Sequence, residues 1–333
     1  MNISEVAKRA RVSTATVSRT INSPGSVSPE TAERVWKVIR AVGYHQNTNA
    51  RALVSGRTNL LGLIISDITN PFFPELVKNF EQVALKHGLE VIVGNTGYDP
   101  GRMSHCVQRM LERKVDGVAI FTSEMGKGLI AQLEEHRIPI VFLDIGGVRQ
   151  RISNIKVNYE MGIHEAIEHL FRLGHKRISF ISGPLQLRSA AIRRAAFLKW
   201  LEHYGLLAED GLVESGNHKI DGGESAMERL LALRRHPTAV LASNDLTAIG
   251  ALRAIYSARL RVPDDISVIG YDDIEFSQFT QPALTTVRLS RAELAEKALD
   301  ALVSTLGEKN KVGCEYNVET HLIVRGSTGK SKE

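Results

Sequence analysis

The chain has 333 residues, of which 24% are charged and 6% aromatic, and its formal net charge is +5. This length exceeds an ordinary domain of roughly 100 to 200 residues, so two or three domains are expected. No apolar run approaches the ~20 residues of a membrane helix, which argues against a membrane protein.

The chain start and the cysteines narrow the class further. The first residues lack the basic and apolar regions of a signal peptide, so a cytoplasmic, nucleoid-associated protein is expected. Cys106 and Cys314 are the only cysteines. Because they form no CxxC or Cys/His ligand pattern, no metal and no cofactor are expected.

Positive charge is concentrated at the front of the sequence. Residues 1–59 hold nine Lys or Arg and three Asp or Glu, whereas the remainder is almost neutral. A basic module attached to a neutral body is typical of polyanion binding, although a solvated basic face is an equally good interpretation of charge alone.

Two short helices are predicted first. Asn2 followed by Glu5 forms a capping-box pattern, and Val6, Ala7 and Ala10 give the first helix an apolar stripe. Arg11 and Val12 form a tight connection, after which Ser13 caps a second helix with Val17 and Ile21 facing inward.

A third helix follows a break at residues 22–26. Ser28 is its predicted cap and Pro29 its first residue. Ala32, Val35, Trp36 and Ile39 form its predicted buried stripe.

The second helix has the features of a major-groove reader. Its outward residues are predicted to be Thr14, Ala15, Ser18 and Arg19. Arg19 suits a bidentate contact to guanine, while Thr14 and Ala15 suit contacts to thymine methyl groups. The alternative is a three-helix bundle with a solvated face.

Residues 49–54 form a possible short helix within a polar connector. Such a helix is too short to be stable alone, so we expect it to fold on DNA. A solvated linker is the alternative.

From residue 60 onward, apolar β-branched runs alternate with helical segments, which is typical of parallel strands covered by helices on both faces. More than one open sheet is implied. The runs are Leu60–Ser66, Glu90–Gly94, Gly117–Phe121, Ile140–Leu143, Ile178–Ile181, Ala239–Ala242 and Ile266–Ile269.

Ligands of such folds bind outside the carboxyl ends of the strands. Polar or aromatic residues follow several runs and are predicted to line one cleft. Each can also be explained as a helix cap or as a hydrogen bond within a loop, and Asp245 is an example of a possible cap. They are Asp67–Phe73, Asn95–Asp99, Ser123, Asp144, Ser189 with Arg193, Asn244–Asp245 and Asp272–Asp273.

Residues Ile3–Ala10, Val12–Arg19 and Ile21–Asn22 resemble the headpiece of the lactose-repressor (LacI) family. The resemblance implies that positions 14, 15 and 19 read bases and that small polar residues hold phosphate. Arg11 departs from the glycine common at this turn. The implied DNA-binding set is Ser13, Thr14, Ala15, Thr16, Ser18, Arg19, Asn22 and Leu53, the last being the leucine that wedges into the minor groove.

The body is similar to the two-lobed, periplasmic-binding-protein-like core of the same regulators. The matching motifs include Asn70–Phe73, Ser182–Pro184, Ser243–Asp245 and Gly270–Asp273. The implied fold class is α/β: an all-α helix-turn-helix headpiece plus a core of two doubly wound parallel sheets. The implied effector-binding residues are Phe72, Phe73, Asp144, Ser189, Arg193, Asn244 and Asp272.

The implied domains are residues 1–47 for DNA binding, 48–58 for the hinge and 59–333 for the core. Lobe one comprises about 59–158 and 288–314, and lobe two about 159–287 and 315–333. No leucine heptad tail follows the helix predicted over 291–306, so a homodimer and no tetramer is expected.

The expected function is a transcriptional regulator, a repressor of carbohydrate-utilisation genes that binds a palindromic operator and a sugar-like effector. Purine-binding relatives carry an arginine where this chain has Leu187, which disfavours a nucleobase, although Arg188 lies next to it. Phosphate-loop, GxGxxG and GxSxG motifs are missing, so no enzyme is expected. The alternatives are control by a protein coregulator or a non-sugar metabolite, and a solute-binding protein.

Overall fold

The computed structural model describes residues 2–23, 25–44, 56–122, 126–206, 211–306 and 311–332. The chain divides into two compact units, Met1–Thr58 and Asn59–Glu333. Leu53, Ser123 and most of the predicted hinge at 48–58 lie outside the described residues.

The described part of the first unit contains three helices: α1 (Ile3–Ala10), α2 (Thr14–Asn22) and α3 (Pro29–Val42). Their inward faces form one small apolar core, whose fully buried members include Val6, Val17 and Val35. The 3.6-residue spacing of these side chains brings one face of each helix to the shared core.

Local capping sets the boundaries of the first two helices. The side chain of Asn2 accepts from the backbone N–H of Glu5 at 3.0 Å, and Ser13 Oγ accepts from that of Thr16 at 3.1 Å. Arg11 closes α1 in the left-handed conformation at φ 55°, where a glycine costs less. Both predicted caps are therefore present.

One part of the predicted stripe of α3 is wrong. Trp36 is 39% exposed, whereas Val35 and Ile39 are buried. Trp36 neighbours Val35 in sequence, and the three-helix core is too small to enclose both side chains. Ser28 also makes no side-chain cap to the helix backbone.

The second unit alternates strands and helices. Its strands are β1 (Leu60–Ile65), β2 (Glu90–Asn95), β3 (Gly117–Phe121), β4 (Ile140–Leu143), β5 (Ile152–Asn158), β6 (Ile178–Ser182), β7 (Val213–Ser215), β8 (Ala239–Ala242), β9 (Ser267–Asp272), β10 (Thr285–Leu289) and β11 (Glu315–Ile323). Its helices are α4 (Phe72–Lys86), α5 (Pro100–Glu112), α6 (Lys127–Glu135), α7 (Tyr159–Arg172), α8 (Arg188–His203), α9 (Ile220–Leu231), α10 (Asp245–Ser257) and α11 (Arg291–Thr305).

The strand order is β2-β1-β3-β4-β5-β11-β10-β9-β8-β6-β7, with every pair parallel except β10 with β11. Strands β1–β5 form the sheet of lobe one and β6–β10 that of lobe two. The inner strands β3 and β6 are buried on both faces, as their continuous apolar runs predicted, whereas the edge strands β2 and β7 are only partly covered.

Strand β11 joins the two sheets. Glu315–Glu319 pair with β5 of lobe one, and Thr320–Ile323 pair with β10 of lobe two. The division between the lobes therefore falls within this strand, a few residues beyond the position 314 expected from the sequence.

Packing between helices and sheets fixes the lobes. Helix α11 returns to lobe one and packs on α4, placing Leu294, Leu299 and Leu302 in the same core as Phe80. In lobe two, α9 and α10 approach so closely that a Cβ on Gly223 would lie 2.2 Å from the carbonyl oxygen of Thr247. Among the described residues, no helix is long and apolar enough to cross a membrane.

Candidate functional site

The outward face of α2 presents the predicted reading residues. Thr14, Ala15 and Arg19 are exposed and Ser18 is partly exposed, while Val17 is fully buried. Thr20 is buried and donates through its hydroxyl to the carbonyl of Thr16 at 2.9 Å, so the inward face includes a residue the sequence reading missed.

The remaining predicted DNA contacts within the described headpiece lie on or directly before α2. Ser13 Oγ lies 2.9 Å from Thr16 Oγ1, which keeps both hydroxyls at the start of α2. Asn22 Nδ2 donates to the carbonyl of Ser18 at 3.0 Å and to its hydroxyl at 3.2 Å. The start of a helix carries free N–H groups and partial positive charge, so this end suits a phosphate.

A cleft between the two lobes contains all seven predicted effector residues. It encloses about 750 Å³, including space open to solvent. Phe72 and Phe73 come from lobe one at the start of α4, where their rings pack edge to face with centroids 5.3 Å apart. The remaining lining residues from the predicted set are Asp144, Ser189, Arg193, Asn244 and Asp272.

Arg193 is the buried cation of the cleft, with a side chain only 7% exposed. It projects from α8, and its guanidinium carbon lies 3.9 Å from the ring centroid of Tyr271 and 5.0 Å from that of Tyr159. Nη1 donates to the carbonyl of Ser243 at 2.5 Å, while Nε is buried without a hydrogen-bond partner among the described residues. Two aromatic faces therefore fix the guanidinium plane.

Asp272 ends β9 directly beside this cation. Its Oδ1 lies 3.5 Å from Nη2 of Arg193, and both side chains are buried. Burial raises the pKa of Asp272 to about 6, although Arg193 opposes this rise. The residue has φ 104°, a strained conformation for a side chain with a Cβ, and such strain concentrates at functional sites.

Asp144 follows β4 and is held by two donors. Its Oδ1 accepts from the backbone N–H of Val157 at 2.9 Å, and its Oδ2 accepts from the Tyr159 hydroxyl at 2.7 Å. Burial raises the pKa of Asp144, while these two hydrogen bonds lower it. The carboxylate is thereby oriented on the lobe-one side of the cleft.

Asn244 and His218 form the wall of lobe two. Asn244 Oδ1 caps α10 through the N–H of Thr247 at 2.9 Å, and its Nδ2 donates to the carbonyl of His218 at 3.0 Å. His218 Nε2 lies 2.9 Å from Ser243 Oγ. Burial lowers the pKa of His218 to about 3, so the imidazole is neutral.

The imidazole of His218 occupies its position only because the facing residue, Gly183, has no side chain. A Cβ on Gly183 would lie 1.8 Å from His218 Nε2. The glycine of the Gly-Pro motif is therefore needed at this position to admit the imidazole into the wall of the cleft.

Two of the cleft residues missed by the sequence reading are Tyr159 and His218. Tyr159 comes immediately after β5 and His218 shortly after β7. Neither strand was predicted, so the rule that ligand contacts follow strand ends was not applied there. Recognition of those two strands would have found both residues.

The interpretation of Asp245 as a helix cap is wrong. Asn244 caps α10, whereas the carboxylate of Asp245 is fully buried and accepts from the N–H of Ile274 at 2.8 Å and from Thr286 Oγ1 at 2.5 Å. Burial raises the pKa of Asp245 well above its ordinary value. This residue holds the loop after β9 in place.

A bridge of charged side chains connects the lobes at the edge of the cleft. Glu75, one turn beyond Phe72, accepts from the N–H of Glu275 at 2.8 Å and pairs with Arg291 at 2.8 Å. Arg291 also donates to the carbonyl of Asp272. We call Glu75, Arg291 and their partners at Asp272 and Glu275 the inter-lobe bridge.

His164 and His169 both contact other side chains of lobe two. His164 stacks on Trp200 with centroids 3.6 Å apart, and His169 Nε2 lies 2.9 Å from Thr328 Oγ1. No group of metal-binding side chains occurs in the described part of the chain.

Comparison with known proteins identifies both units. Residues 2–47 match the profile of bacterial regulatory proteins of the lacI family, and residues 167–328 match a periplasmic-binding-protein-like domain. The HTH-type transcriptional repressor PurR of Erwinia tasmaniensis is 35% identical over 98% of this chain and 96% of its own length.

Solved structures agree with these relatives. A Lac repressor dimer bound to operator and the anti-inducer ONPF superposes with a TM-score of 0.86 at 28% identity, covering 99% of both chains. A complex of the transcriptional regulator CelR with cellobiose gives a TM-score of 0.69 at 27% identity, covering 98% of this chain and 99% of the other.

Proposed function

Because the chain belongs to the lacI family of bacterial regulatory proteins and is a DNA-binding transcriptional repressor, we propose that it controls carbohydrate-utilisation genes. In this proposal a homodimer binds a palindromic operator through residues 1–47, and the hinge at 48–58 becomes ordered on DNA. A sugar or sugar derivative binds between the lobes of residues 59–333 and changes operator affinity. The relatives are repressors and not enzymes.

The observation that carries the effector proposal is the convergence of seven predicted residues on one cleft. Phe72 and Phe73 offer apolar ring surfaces to the weakly polar faces of a sugar, whereas Asn244, Asp144 and Asp272 offer hydrogen-bonding groups to hydroxyls. A few precisely placed polar groups among aromatic side chains are typical of a small-molecule site.

The charges in the cleft favour a hydroxyl-rich effector. The positive charge of Arg193 is already balanced by the carboxylate of Asp272, and the positive charge of Arg188 lowers the pKa of Asp144. A strongly anionic effector would face two carboxylates, while a neutral polyol accepts from arginine and donates to carboxylate without a net charge. Leu187, which lines the same cleft, adds apolar surface.

Allosteric control follows from the position of the cleft between two lobes. An effector that contacts Phe73 on one lobe and Arg193 on the other favours one lobe angle over another. The linkage is reciprocal. Bound effector changes the affinity for DNA by the same factor as bound DNA changes the affinity for effector. The effector can act in either direction: it releases the repressor from DNA, or it strengthens DNA binding as a corepressor.

A homodimer is supported by the dimeric Lac repressor neighbour and by an apolar surface on lobe two. Phe276 and Phe279 are 61% and 72% exposed, and they line a depression together with Ile220. The Arg253–Glu224 ion pair at its edge presents both signs of charge. Such a surface is suited to a two-fold contact with its own copy.

A nucleobase is the second candidate effector, since the curated relatives carry the name PurR. Leu187 at the position of the arginine used by purine-binding relatives opposes it. Direct titration with sugars and with hypoxanthine or guanine separates the two classes.

The DNA-binding part is tested by selecting duplexes from a random pool with the full chain. We expect palindromic sequences to be enriched and Arg19→Ala to lower their preference over scrambled duplex by about 1–3 kcal/mol, because a bidentate guanine contact is lost. The control is Arg40→Ala, which removes an exposed charge from α3. Enrichment of no palindrome would contradict the proposal.

The effector part is tested by fluorescence anisotropy of the selected duplex with a panel of sugars, sugar phosphates and nucleobases. Arg193→Ala is expected to keep operator binding and lose the response to the active compound. Loss of a buried ion-pair partner costs about 3–5 kcal/mol of stability, so folding is checked by circular dichroism. Ser189→Ala is a milder second variant, and Arg194→Ala is the control on the same helix.

A normal response of both Arg193→Ala and Ser189→Ala would show that the effector binds elsewhere. A response only on addition of a partner protein would favour the coregulator alternative.

A further inference from the structure

A second depression lies in lobe one, at the end of the sheet opposite to the inter-lobe cleft. It is formed by the end of α6 and by the turn that precedes β5, and it encloses about 950 Å³, including space open to solvent. Three arginines line it: Arg137, Arg149 and Arg151. We call these three side chains the arginine pocket.

The positive charge of the arginine pocket is only partly balanced. Glu134 pairs with Arg149 at 2.5 Å. Among the described residues, no carboxylate lies within ion-pair distance of Arg137 or Arg151, and Arg151 Nε is buried without a hydrogen-bond partner. The charges of Arg137 and Arg151 are therefore not compensated by a described carboxylate, and an anion bound in the pocket would interact favourably with both.

The backbone holds these arginines in fixed positions. Arg149 and Ile152 exchange two backbone hydrogen bonds, at 3.2 and 3.0 Å, around a tight turn that places Arg151 at its corner. Arg151 in turn donates its N–H to the carbonyl of Lys311 at 2.9 Å and accepts from Ile140 at 2.9 Å. The turn is thus bonded on both sides, unlike a freely solvated loop.

Arg137 faces the same depression from the end of α6. It adopts φ 55° and donates its N–H to the carbonyl of Glu134 at 2.8 Å, closing the helix. The partial negative charge at the end of α6 stabilises a cation such as Arg137 there. It does not explain why Arg151 lies nearby. Burial lowers the pKa of Arg151, and the positive charge of Arg137 lowers it further.

We propose that the arginine pocket binds the phosphoryl group of a small metabolite, as a second ligand site separate from the inter-lobe cleft. Guanidinium groups match phosphate oxygens in bidentate geometry, and one dianion between Arg137 and Arg151 compensates the charges of both. The apolar side chains of Ile138 and Ile152 border the pocket and contact the remainder of the ligand.

Pyrophosphate is the probe for this site, titrated calorimetrically into the full chain saturated with operator duplex so that the headpiece is occupied. We expect binding that Arg151→Gln weakens roughly tenfold or more, since charge-assisted hydrogen bonds are lost. Arg151→Lys is expected to restore only part of the affinity, because lysine lacks the fork geometry. Arg234→Gln, an exposed arginine of lobe two, is the charge-matched control.

Three outcomes would overturn the proposal. The first is no pyrophosphate binding by the wild-type chain, and the second is equal binding by Arg151→Gln and the control. The third is that Arg137→Gln and Arg151→Gln weaken duplex binding regardless of sequence while pyrophosphate does not bind, which would assign these arginines to DNA phosphates. Binding that survives Arg193→Ala separates this site from the proposed effector cleft.

Discussion

At the scale of single residues, Asp272 connects the chemistry of the cleft with folding stability. Its pKa of about 6 in the folded protein exceeds the ordinary value of 3.8, because burial disfavours the carboxylate. The folded state therefore binds this proton more tightly than the unfolded chain. The stabilisation is fully present below pH 3.8 and is lost as the pH rises through about 6.

The comparison of wild type with Asp272→Asn isolates this contribution. From pH 4 to pH 7, we expect the free energy of unfolding of the wild type to fall relative to the variant by about 3 kcal/mol at most. Urea unfolding followed by circular dichroism at several pH values measures the difference, with Asp264→Asn as an exposed control. Parallel pH profiles of wild type and Asp272→Asn would contradict the assignment.

Residue identities at the cleft were predictable where they follow apolar strands. Phe73, Asn244 and Asp272 all come after continuous buried runs, so a simple rule about strand ends located them. The burial of Asp245 was not predictable in this way. Its environment is created by Ile274 and Thr286, which are distant in sequence and meet it only in the folded lobe.

At the scale of elements, the inter-lobe bridge ties helix α4 to the loop after β9. Glu75 is 22% exposed and Arg291 15% exposed, so their pairing is shielded from solvent more than a surface ion pair. Helix α4 also supplies Phe72 and Phe73 to the cleft. A change of lobe angle must therefore alter the bridge and the cleft together.

Glu75→Ala should loosen the loop after β9. The N–H of Glu275 loses its acceptor, so we expect faster hydrogen exchange in residues 273–279 with exchange in β1 unchanged. The allosteric coupling between effector and operator should fall by about 1 kcal/mol, roughly fivefold. Glu81→Ala, which removes an exposed carboxylate from the same helix, is the control, and equal exchange in both variants would exclude a role for the bridge.

The predicted strands were those with continuous apolar sequence. Strands β5 and β11 escaped prediction because polar residues such as Asn154 and Lys156 interrupt the apolar pattern of β5, and because exposed charged residues alternate along β11. Both strands lie at the junction of the lobes, where only part of each face is covered. Tertiary position, rather than local sequence, decides their structure.

At the scale of the whole molecule, the proposed binding to a palindromic operator requires a dimer, since each chain carries one predicted reading helix and a palindrome has two half-sites. Phe276 and Phe279 are two large apolar side chains that the described surface leaves mostly exposed. Burying two such aromatic side chains in a subunit contact stabilises association by about 1.5–3 kcal/mol for each ring.

The double variant Phe276→Ser with Phe279→Ser is therefore expected to shift the chain toward monomers. Its operator affinity should fall at protein concentrations below the new dimer dissociation constant, while unfolding stays cooperative because both rings are exposed within one chain. Sedimentation velocity measures the oligomeric state, and Phe171→Ser, a 43% exposed phenylalanine elsewhere on lobe two, is the matched control. A dimer of unchanged stability in the double variant would place the subunit contact on another surface.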